Sequence, residues 1–336
     1  MRFTHSIMFH HFHSNKHSPA PGSLSAEEFE EMLDWLGNRY NLVNANEYLL
    51  KFEKNCLQSN DICLSFDDAL LCQFDVAVPV LRQRNIQAFF FVYSSVFSGN
   101  HELLEIYRYF RTTCFDNIDD FYKIFFSTAK SNLDKINASI AEGSYHTDSH
   151  EPTEKILRNV SLYQSTYETF KGLDYLAAFP FYSDNDKWYR YLRDQVLGIE
   201  NHNSLMLDMI ERESFDIQDA ASLLWMKEEN LNELHKEGHL IGLHSYSHPT
   251  QISKLIAAEQ QDQYRRNMEH LEGLLGKGSI YSMSHPCGDY NADTLGLLTD
   301  MGIRIGFRSS LSVKEIKSPL EVPRDDHANI FKEMRK

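Results

Sequence analysis

The stretch Ile62–Leu71, ICLSFDDALL, is an apolar run that stops abruptly at two adjacent aspartates. Its composition predicts a buried strand. Neighbouring carboxylates repel each other and must be desolvated together, so Asp67 and Asp68 at the end of such a strand indicate a site that binds a cation or moves a proton. A helix N-cap is the alternative, because Asp is favoured where a strand gives way to a helix.

Similar short apolar runs recur along the chain, and helical patterns lie between them. They are HSIMFHHF at 5–12, IQAFFFVY at 86–93, HLIGLHS at 239–245, SIYSMS at 279–284 and IRIGFRS at 303–309. Strands that alternate with helices predict a parallel sheet or barrel.

The middle of the chain has a different pattern. From about residue 101 to residue 229 it is rich in aromatic and charged residues at helical spacing, with few strand-like runs. We expect a mainly helical insertion there, and an α/β unit formed by residues 1–100 and 230–336. The aromatic residues of the insertion are more typical of helix packing than of a ligand surface.

The composition of the 336-residue chain argues against several partners. A net charge of -15 without a basic cluster argues against nucleic acid and anionic membranes. No apolar run approaches the length of a membrane span, and the N-terminal one is too short and too interrupted by histidine for a signal peptide. Five cysteines without framework spacing suit a reducing compartment. We therefore expect a cytoplasmic protein with no membrane insertion.

A second polar cluster follows the strand-like run at 239–245. In GLHSYSHPT, His244 and His248 are four residues apart, a spacing that would put both rings on one side of a helical turn. With Asp68 they form a two-histidine, one-carboxylate set with open coordination positions, as a catalytic metal requires. Because parallel strands end at a common edge, we expect the three residues to converge there.

A third cluster, YSMSHPCGDYN, turns at Pro286 and Gly288. A plain turn at a strand exit is one interpretation. Beside a metal, the same turn would also direct backbone N–H groups at a developing oxyanion.

SFDDAL, HSYSH and SHPCGDYN, in this order, resemble the three principal motifs of the NodB-homology polysaccharide deacetylases, carbohydrate esterase family 4. The opening segment IMFHHF resembles circularly permuted members of that family. The resemblance covers Met1 to about Tyr93 and about Gly238 to Arg324, and the insertion has no counterpart. It implies a distorted (β/α)7-type barrel, in agreement with the alternation of strands and helices.

The resemblance also implies roles for individual residues. Asp67 would be the general base that deprotonates the attacking water. The metal ligands would be Asp68, His244 and His248. The third motif would hold the oxyanion or substrate through the backbone N–H of Cys287 and the neighbouring Pro286, Gly288 and Tyr290.

Both ends of the chain supply further candidates. In the permuted members a histidine near the N-terminus is the general acid, which makes His10 the first candidate and His11 and His327 the alternatives. VPRDDH at 322–327 resembles the closing strand whose arginine contacts the base, so Arg324 is expected near Asp67.

The sequence departs from the family pattern at four positions, one of which is Cys287, where an aromatic residue is common. Ala69 replaces the usual glycine after the two aspartates. Ser284 stands where many members have an arginine that tethers the base, so Arg324 would take over that role. His285 is an additional residue, either a second proton donor or a packed neighbour, and packing is favoured.

These observations predict metal-assisted removal of an N-acetyl group from an amino sugar, in a glycan or in a lipid-linked or nucleotide-linked precursor. Zinc is the expected ion, although cobalt, nickel, manganese and iron accept the same ligands. Two alternatives stay open: hydrolysis of another small amide C–N bond, and a non-catalytic barrel that binds a glycan or a partner. The insertion is expected to cap the mouth of the barrel.

Overall fold

The computed structural model describes residues 5–141, 170, 176, 182–311 and 316–336, without the side chains of 132–141. The chain has two compact units: Met1–Glu102 with Ala221–Lys336, and Leu103–Ala220. The boundaries expected from the sequence, 101–229 for the insertion, stay a prediction about domains. Most of the expected helical pattern between 142 and 181 lies outside the described residues.

A single sheet of eight strands organises the first unit within the described residues. The strands are β1 His5–Phe9, β2 Asn41–Leu42, β3 Asp61–Asp67, β4 Phe89–Val92, β5 Leu240–Leu243, β6 Ser282–Ser284, β7 Ile305–Phe307 and β8 Arg324–Asp326. Their order is β7-β6-β5-β4-β3-β1-β8, and β2 pairs with β3. Every pair is parallel, as the alternation of strands and helices predicts.

The two edges of this sheet meet just before β8. Val322 forms a parallel bridge with Phe307. Its N–H donates to the carbonyl of Gly306 at 2.9 Å, and its carbonyl accepts from Arg308 N–H at 2.8 Å. Ser6 N–H then donates to the carbonyl of Pro323 at 3.0 Å. The sheet is therefore a nearly closed barrel, which confirms the predicted fold class.

The two faces of each strand have different surroundings. On β3 the outward residue Phe66 stacks on Phe90 at 4.7 Å and on Phe9 at 5.1 Å, between ring centroids. The inward face of the barrel carries an apolar cluster: Cys63, Phe89, Phe91, Ile305 and Phe307. Because side chains alternate along a strand, Ser65 and Asp67 continue the inward face of β3 toward its carboxyl end. Both are buried.

Helices connect the strands of the barrel unit. They are Ala26–Gly37, Ala45–Glu53, Val78–Gln83, Glu228–Lys236, Ala257–Leu275, Ala292–Asp300 and His327–Met334. The first begins with a capping box, in which Ser25 Oγ accepts from Glu28 N–H at 3.2 Å and Glu28 Oε2 accepts from Ser25 N–H at 3.0 Å. The short apolar stripe of this helix includes Phe29, which packs edge-on against Phe9 at 5.1 Å.

Four helices lie within the described part of the second unit: Leu103–Thr113, Ile118–Ala141, Asp184–Tyr191 and Gly198–Arg212; a fifth, Ile217–Leu224, begins in this unit and ends in the first. Aromatic rings pack between them, for example Phe125 against Tyr189 at 4.8 Å. Arg111 is buried and donates to Asp186 at 3.0 Å and to the Tyr122 hydroxyl at 3.3 Å. The aromatic residues thus serve helix packing, as their spacing predicts. In the described ranges no helix combines the length and the apolarity needed to cross a bilayer.

The close approach of β5 to β6 requires a glycine. A Cβ on Gly242 would lie 2.5 Å from Ser282 Oγ, 2.6 Å from the Ser282 carbonyl oxygen and 2.8 Å from Phe91 Cδ1. We expect Gly242→Ala to lower the free energy of unfolding by roughly 1–3 kcal/mol, because the backbone of β6 must move. Urea unfolding followed by fluorescence measures this. Gly296→Ala is the control, since its Cβ meets no atom within 4 Å, and equal effects of the two changes would contradict the prediction.

His239, a buried histidine directly before β5, is expected to lower the stability of the fold in acid. His239 Nδ1 accepts from Ala88 N–H at 3.0 Å, and burial lowers the pKa of His239 to about 4. Because the unfolded chain then binds more protons below its ordinary value of 6.5, stability falls as the pH falls through this window. His239→Asn keeps a neutral acceptor. We expect the wild type to lose about 1–2 kcal/mol more than this variant between about pH 7 and pH 5 in urea unfolding, and parallel losses would contradict the assignment.

Candidate active site and metal centre

Asp67, the last residue of β3, is held by a fully buried arginine. Arg324 on β8 donates from Nη1 to Asp67 Oδ1 and from Nη2 to Asp67 Oδ2, both at 2.7 Å. This bidentate pairing fixes the plane of the carboxylate. Burial alone would raise the pKa of Asp67, but the charges of Arg324 and His244 outweigh it and hold the pKa below its ordinary value.

The other donors of Arg324 are also satisfied. Nε donates to the carbonyl of Arg308 at 2.6 Å, Nη1 to Ser65 Oγ at 3.3 Å and Nη2 to Ser284 Oγ at 2.7 Å. Ser284 Oγ in turn donates to Asp67 Oδ2 at 3.2 Å. The serine that stands in place of the family's arginine therefore belongs to the same tether, and Arg324 supplies the guanidinium.

The backbone turns sharply after Asp67. Asp68 and Ala69 have φ values of 77° and 51°, in the left-handed region. A Cβ atom in this region costs roughly 1–2 kcal/mol, which a glycine avoids and Ala69 does not, so other interactions must offset the cost. Asp68 N–H donates to the carbonyl of Phe91 at 3.0 Å, and the Ala69 carbonyl accepts from Met226 N–H at 2.8 Å. These bonds hold the turn.

The turn directs Asp68 at the two histidines of the second motif. Asp68 Oδ1 lies 3.4 Å from His244 Nε2 and 3.6 Å from His248 Nε2. One ligand atom from each of the three residues lies within 4.8 Å of the others. Among the described residues Asp68 Oδ1 is buried without a hydrogen-bond partner. An oxygen and two imidazole nitrogens in this arrangement fit a divalent cation.

Each histidine is oriented by its own segment. His244 Nδ1 donates to the carbonyl of Ser284 at 2.9 Å, which leaves the lone pair of Nε2 for a metal. Burial opposes protonation of His244, but Asp67 and Asp68 outweigh it and raise its pKa. His248 follows a loop in which Ser245 has a φ of 60°, and its N–H donates to Ser245 Oγ at 3.1 Å. The prediction that these histidines share a helical turn is wrong, since residues 244–248 form a bent loop.

His10 lies at the same edge of the barrel. Its Nε2 is 3.9 Å from Asp67 Oδ2 and 4.0 Å from Asp68 Oδ2. The His11 ring stacks beside it, with 6.2 Å between ring centroids. His10 is therefore the N-terminal histidine whose imidazole faces the two carboxylates.

His327 lies on the outer face of the barrel, whereas His10 lies on the inner face. Its ring stacks on the outward-facing Phe9 at 5.3 Å. Its two ring nitrogens lie 3.1 Å from the carbonyl oxygen of Met8 and 2.6 Å from that of Gly22. Because side chains alternate along β1, a residue packed on Phe9 is on the face opposite His10. This position removes His327 from the candidates for the general acid.

The third motif forms a tight turn. Pro286–Gly288 is a single 3₁₀ turn in which Cys287 has a φ of 52°. His285 Nε2 donates to the carbonyl of Leu320 at 2.8 Å, and burial lowers the pKa of His285 to about 4. Tyr290 stacks on His285 at 4.2 Å and donates its hydroxyl to Glu321 at 2.7 Å. His285 is thus a packed neighbour, and the oxyanion role of the Cys287 N–H stays a prediction.

Three residues beside the site lie outside the three sequence motifs. Gln73 donates to the carbonyls of both His10 and Asp67. Trp225 Nε1 donates to the hydroxyl of Tyr93 at 2.7 Å, and the Tyr93 ring lies 5.2 Å from that of His248. Nothing local links Trp225 to Tyr93, because 132 positions separate them in the chain.

The second and third motifs of the site lie in a stretch of the chain that matches a known family model. Residues 197–306 match the family model described as polysaccharide deacetylase. The match contains both histidines of the candidate metal centre and the third motif, and it begins after Asp68. This domain match and the barrel fold agree with the family that the three motifs predict. The circularly permuted type stays a prediction.

Solved deacetylase structures have a similar barrel. The Streptococcus pyogenes deacetylase PplD, in complex with acetate, is 12% identical with a TM-score of 0.52, over 96% of this chain and 91% of that chain. IcaB from Ammonifex degensii is 14% identical with a TM-score of 0.51, over 96% of this chain and 90% of that chain. No curated protein matches the chain in sequence. The structural likeness establishes the fold.

The donor set predicts that metal binding depends on Asp68 and His244. We expect about one divalent ion per chain in the wild type and loss of the ion in Asp68→Ala and in His244→Ala, because two remaining ligands hold an ion weakly. Elemental analysis of the purified proteins measures this without a substrate. His239→Asn is the matched control and keeps the ion. A wild type that binds no added zinc, cobalt or nickel would rule out the metal centre.

Proposed function

We propose that this protein is a metal-dependent carbohydrate N-deacetylase, which hydrolyses the N-acetyl amide of an amino sugar. The observation that carries the proposal is that two adjacent carboxylates have different main partners. Asp67 is paired with Arg324, whereas Asp68 faces His244 and His248. The match to the polysaccharide deacetylase model supports the class of substrate.

Hydrolysis of an amide has three requirements: a polarised carbonyl, an activated water and a proton for the departing amine. A divalent cation held by Asp68, His244 and His248 would polarise the carbonyl and lower the pKa of the attacking water. We propose zinc for this position, because two imidazoles and one carboxylate suit it.

Asp67 is the general base of the proposed reaction. Arg324 keeps its carboxylate ionised and fixes its orientation, so Asp67 is ready to accept a proton near neutral pH. A carboxylate with a lowered pKa is a weak base, which is why the water must be acidified at the same site. The bidentate pairing also prevents Asp67 from rotating toward the ligands of the cation.

His10 is the general acid. Its Nε2 faces Asp67 and Asp68, while 27% of its side chain is exposed. This exposure lets the imidazole take up a proton from solvent between turnovers. A protonated His10 beside the two carboxylates can deliver that proton to the amine nitrogen as the carbon–nitrogen bond breaks.

The carrier of the sugar and the compartment are part of the same proposal. The acidic composition suits a glycan precursor, linked to a lipid or a nucleotide, that is deacetylated in the cytoplasm.

Asp67→Asn separates the base from the metal ligands. We expect the variant to keep its metal and to lose turnover by on the order of 10²–10⁴-fold, because an amide cannot accept the proton. Acetate release from N-acetylated sugars measures turnover, and elemental analysis measures the ion. The control is Asp325→Asn, at the β8 position next to Arg324, where the carboxylate accepts from Asn329. Full turnover in Asp67→Asn would exclude Asp67 as the base.

A further inference from the structure

Gln73 connects two residues of the proposed reaction through their backbones. Its Nε2 lies 2.9 Å from the carbonyl oxygen of His10 and 2.6 Å from that of Asp67. The side chain is completely buried. Each of the two N–H groups of a primary amide thus has one acceptor.

The orientation of this amide follows from its partners. Both partners are carbonyl oxygens, which only accept hydrogen bonds, so the NH₂ group and not the oxygen must face them. A buried carbonyl without a partner is costly. Gln73 therefore satisfies His10 and Asp67 in a way that few side chains can reproduce.

Gln73 lies where the pairing between β1 and β3 ends. The register of β1 and β3 ends at Phe9 paired with Phe66, so His10 and Asp67 form the next pair along. Within the described strands no ladder pair joins His10 to Asp67, because β1 ends at Phe9, whereas Asp67 pairs with Phe91 of β4. Gln73 bridges them at this point. Its own segment, Gln73–Ala77, is a widened π-type turn, a local geometry that often occurs at functional sites.

We propose that Gln73 is a positioning residue, which fixes the spacing of the general acid His10 from the general base Asp67 by clamping their two carbonyls. This inference rests on the proposed function, because that function assigns the two roles. Gln73 donates to neither Asp68, His244 nor His248. It therefore acts on the alignment of proton transfer and leaves the cation site intact.

Two variants and one matched control test the clamp. Gln73→Met removes both donors and keeps the length of the side chain, and Gln73→Glu keeps the shape but presents oxygens to the two carbonyls. The control is Gln260→Met, which also removes a fully buried amide. Gln260 Nε2 donates to the carbonyl of Leu255 at 2.9 Å, and its Oε1 accepts from Thr294 at 2.6 Å.

The kinetic constants distinguish a positioning role of Gln73 from a purely structural one. Both Gln73 variants should lower kcat by about 10–100-fold, because misplacement of a reacting group by about 1 Å has an effect of this size. KM and the affinity for zinc should change by less than about 2-fold. Gln260→Met should lose a similar amount of thermal stability with kcat unchanged. Unchanged kcat in a folded Gln73→Met, or a loss of zinc affinity in it, would overturn the proposal.

A second readout does not depend on turnover. In protein labelled with ¹⁵N-histidine, His10→Ala identifies the ring signals of His10. These signals should shift in Gln73→Met and stay in place in Gln260→Met, while those of His244 and His248 are unchanged. A wild type without deacetylase activity would refute the proposed function, yet the ring shift would still test the clamp. An unmoved His10, or two unfolded Gln73 variants beside a folded Gln260→Met, would overturn it.

Discussion

The buried pair of Arg324 and Asp67 is the interaction on which the rest of the barrel depends. Burying two charges costs several kcal/mol per ion unless the pairing is close and the remaining donors are satisfied. Here all five donors of the guanidinium have acceptors, from Arg308, Ser65, Ser284 and both oxygens of Asp67. Those acceptors come from or next to β3, β6 and β7, while Arg324 begins β8. The pair is therefore stable only when the barrel closes.

Polar and apolar side chains lie side by side in the interior around this pair. In the strand register Ser65 pairs with Phe89, Asp67 with Phe91 and Ser284 with Phe307. The polar side also includes Ser6, which donates to Ser65 Oγ at 3.1 Å. Serines supply short acceptors where a larger side chain would displace the guanidinium. The neighbouring aromatic rings keep water away from the buried charges, which strengthens their attraction.

The sequence predicted the parallel barrel and the residues at its edge, because short apolar runs and local motifs carry that information. It could not predict contacts that the tertiary fold creates. His327 directly follows a strand, as His10 does, and only the side-chain alternation of β1 shows that His327 lies on the outer face of the barrel. Gln73 looks like an ordinary polar residue in a helical pattern. Its role depends on the backbone of His10, 63 positions away.

The adjacent aspartates Asp67 and Asp68 are tolerated because the backbone directs their side chains toward different partners. Asp67 ends an extended strand and faces Arg324, whereas the left-handed φ of Asp68 sends the next side chain toward His244 and His248. Arg324 pairs with Asp67 and His248 lies beside Asp68, while His244 Nε2 lies 3.4 Å from Asp68 Oδ1 and 3.9 Å from Asp67 Oδ2. The separation of base from ligand is therefore encoded in the backbone of two residues, Asp68 and Ala69, and paired side chains maintain it.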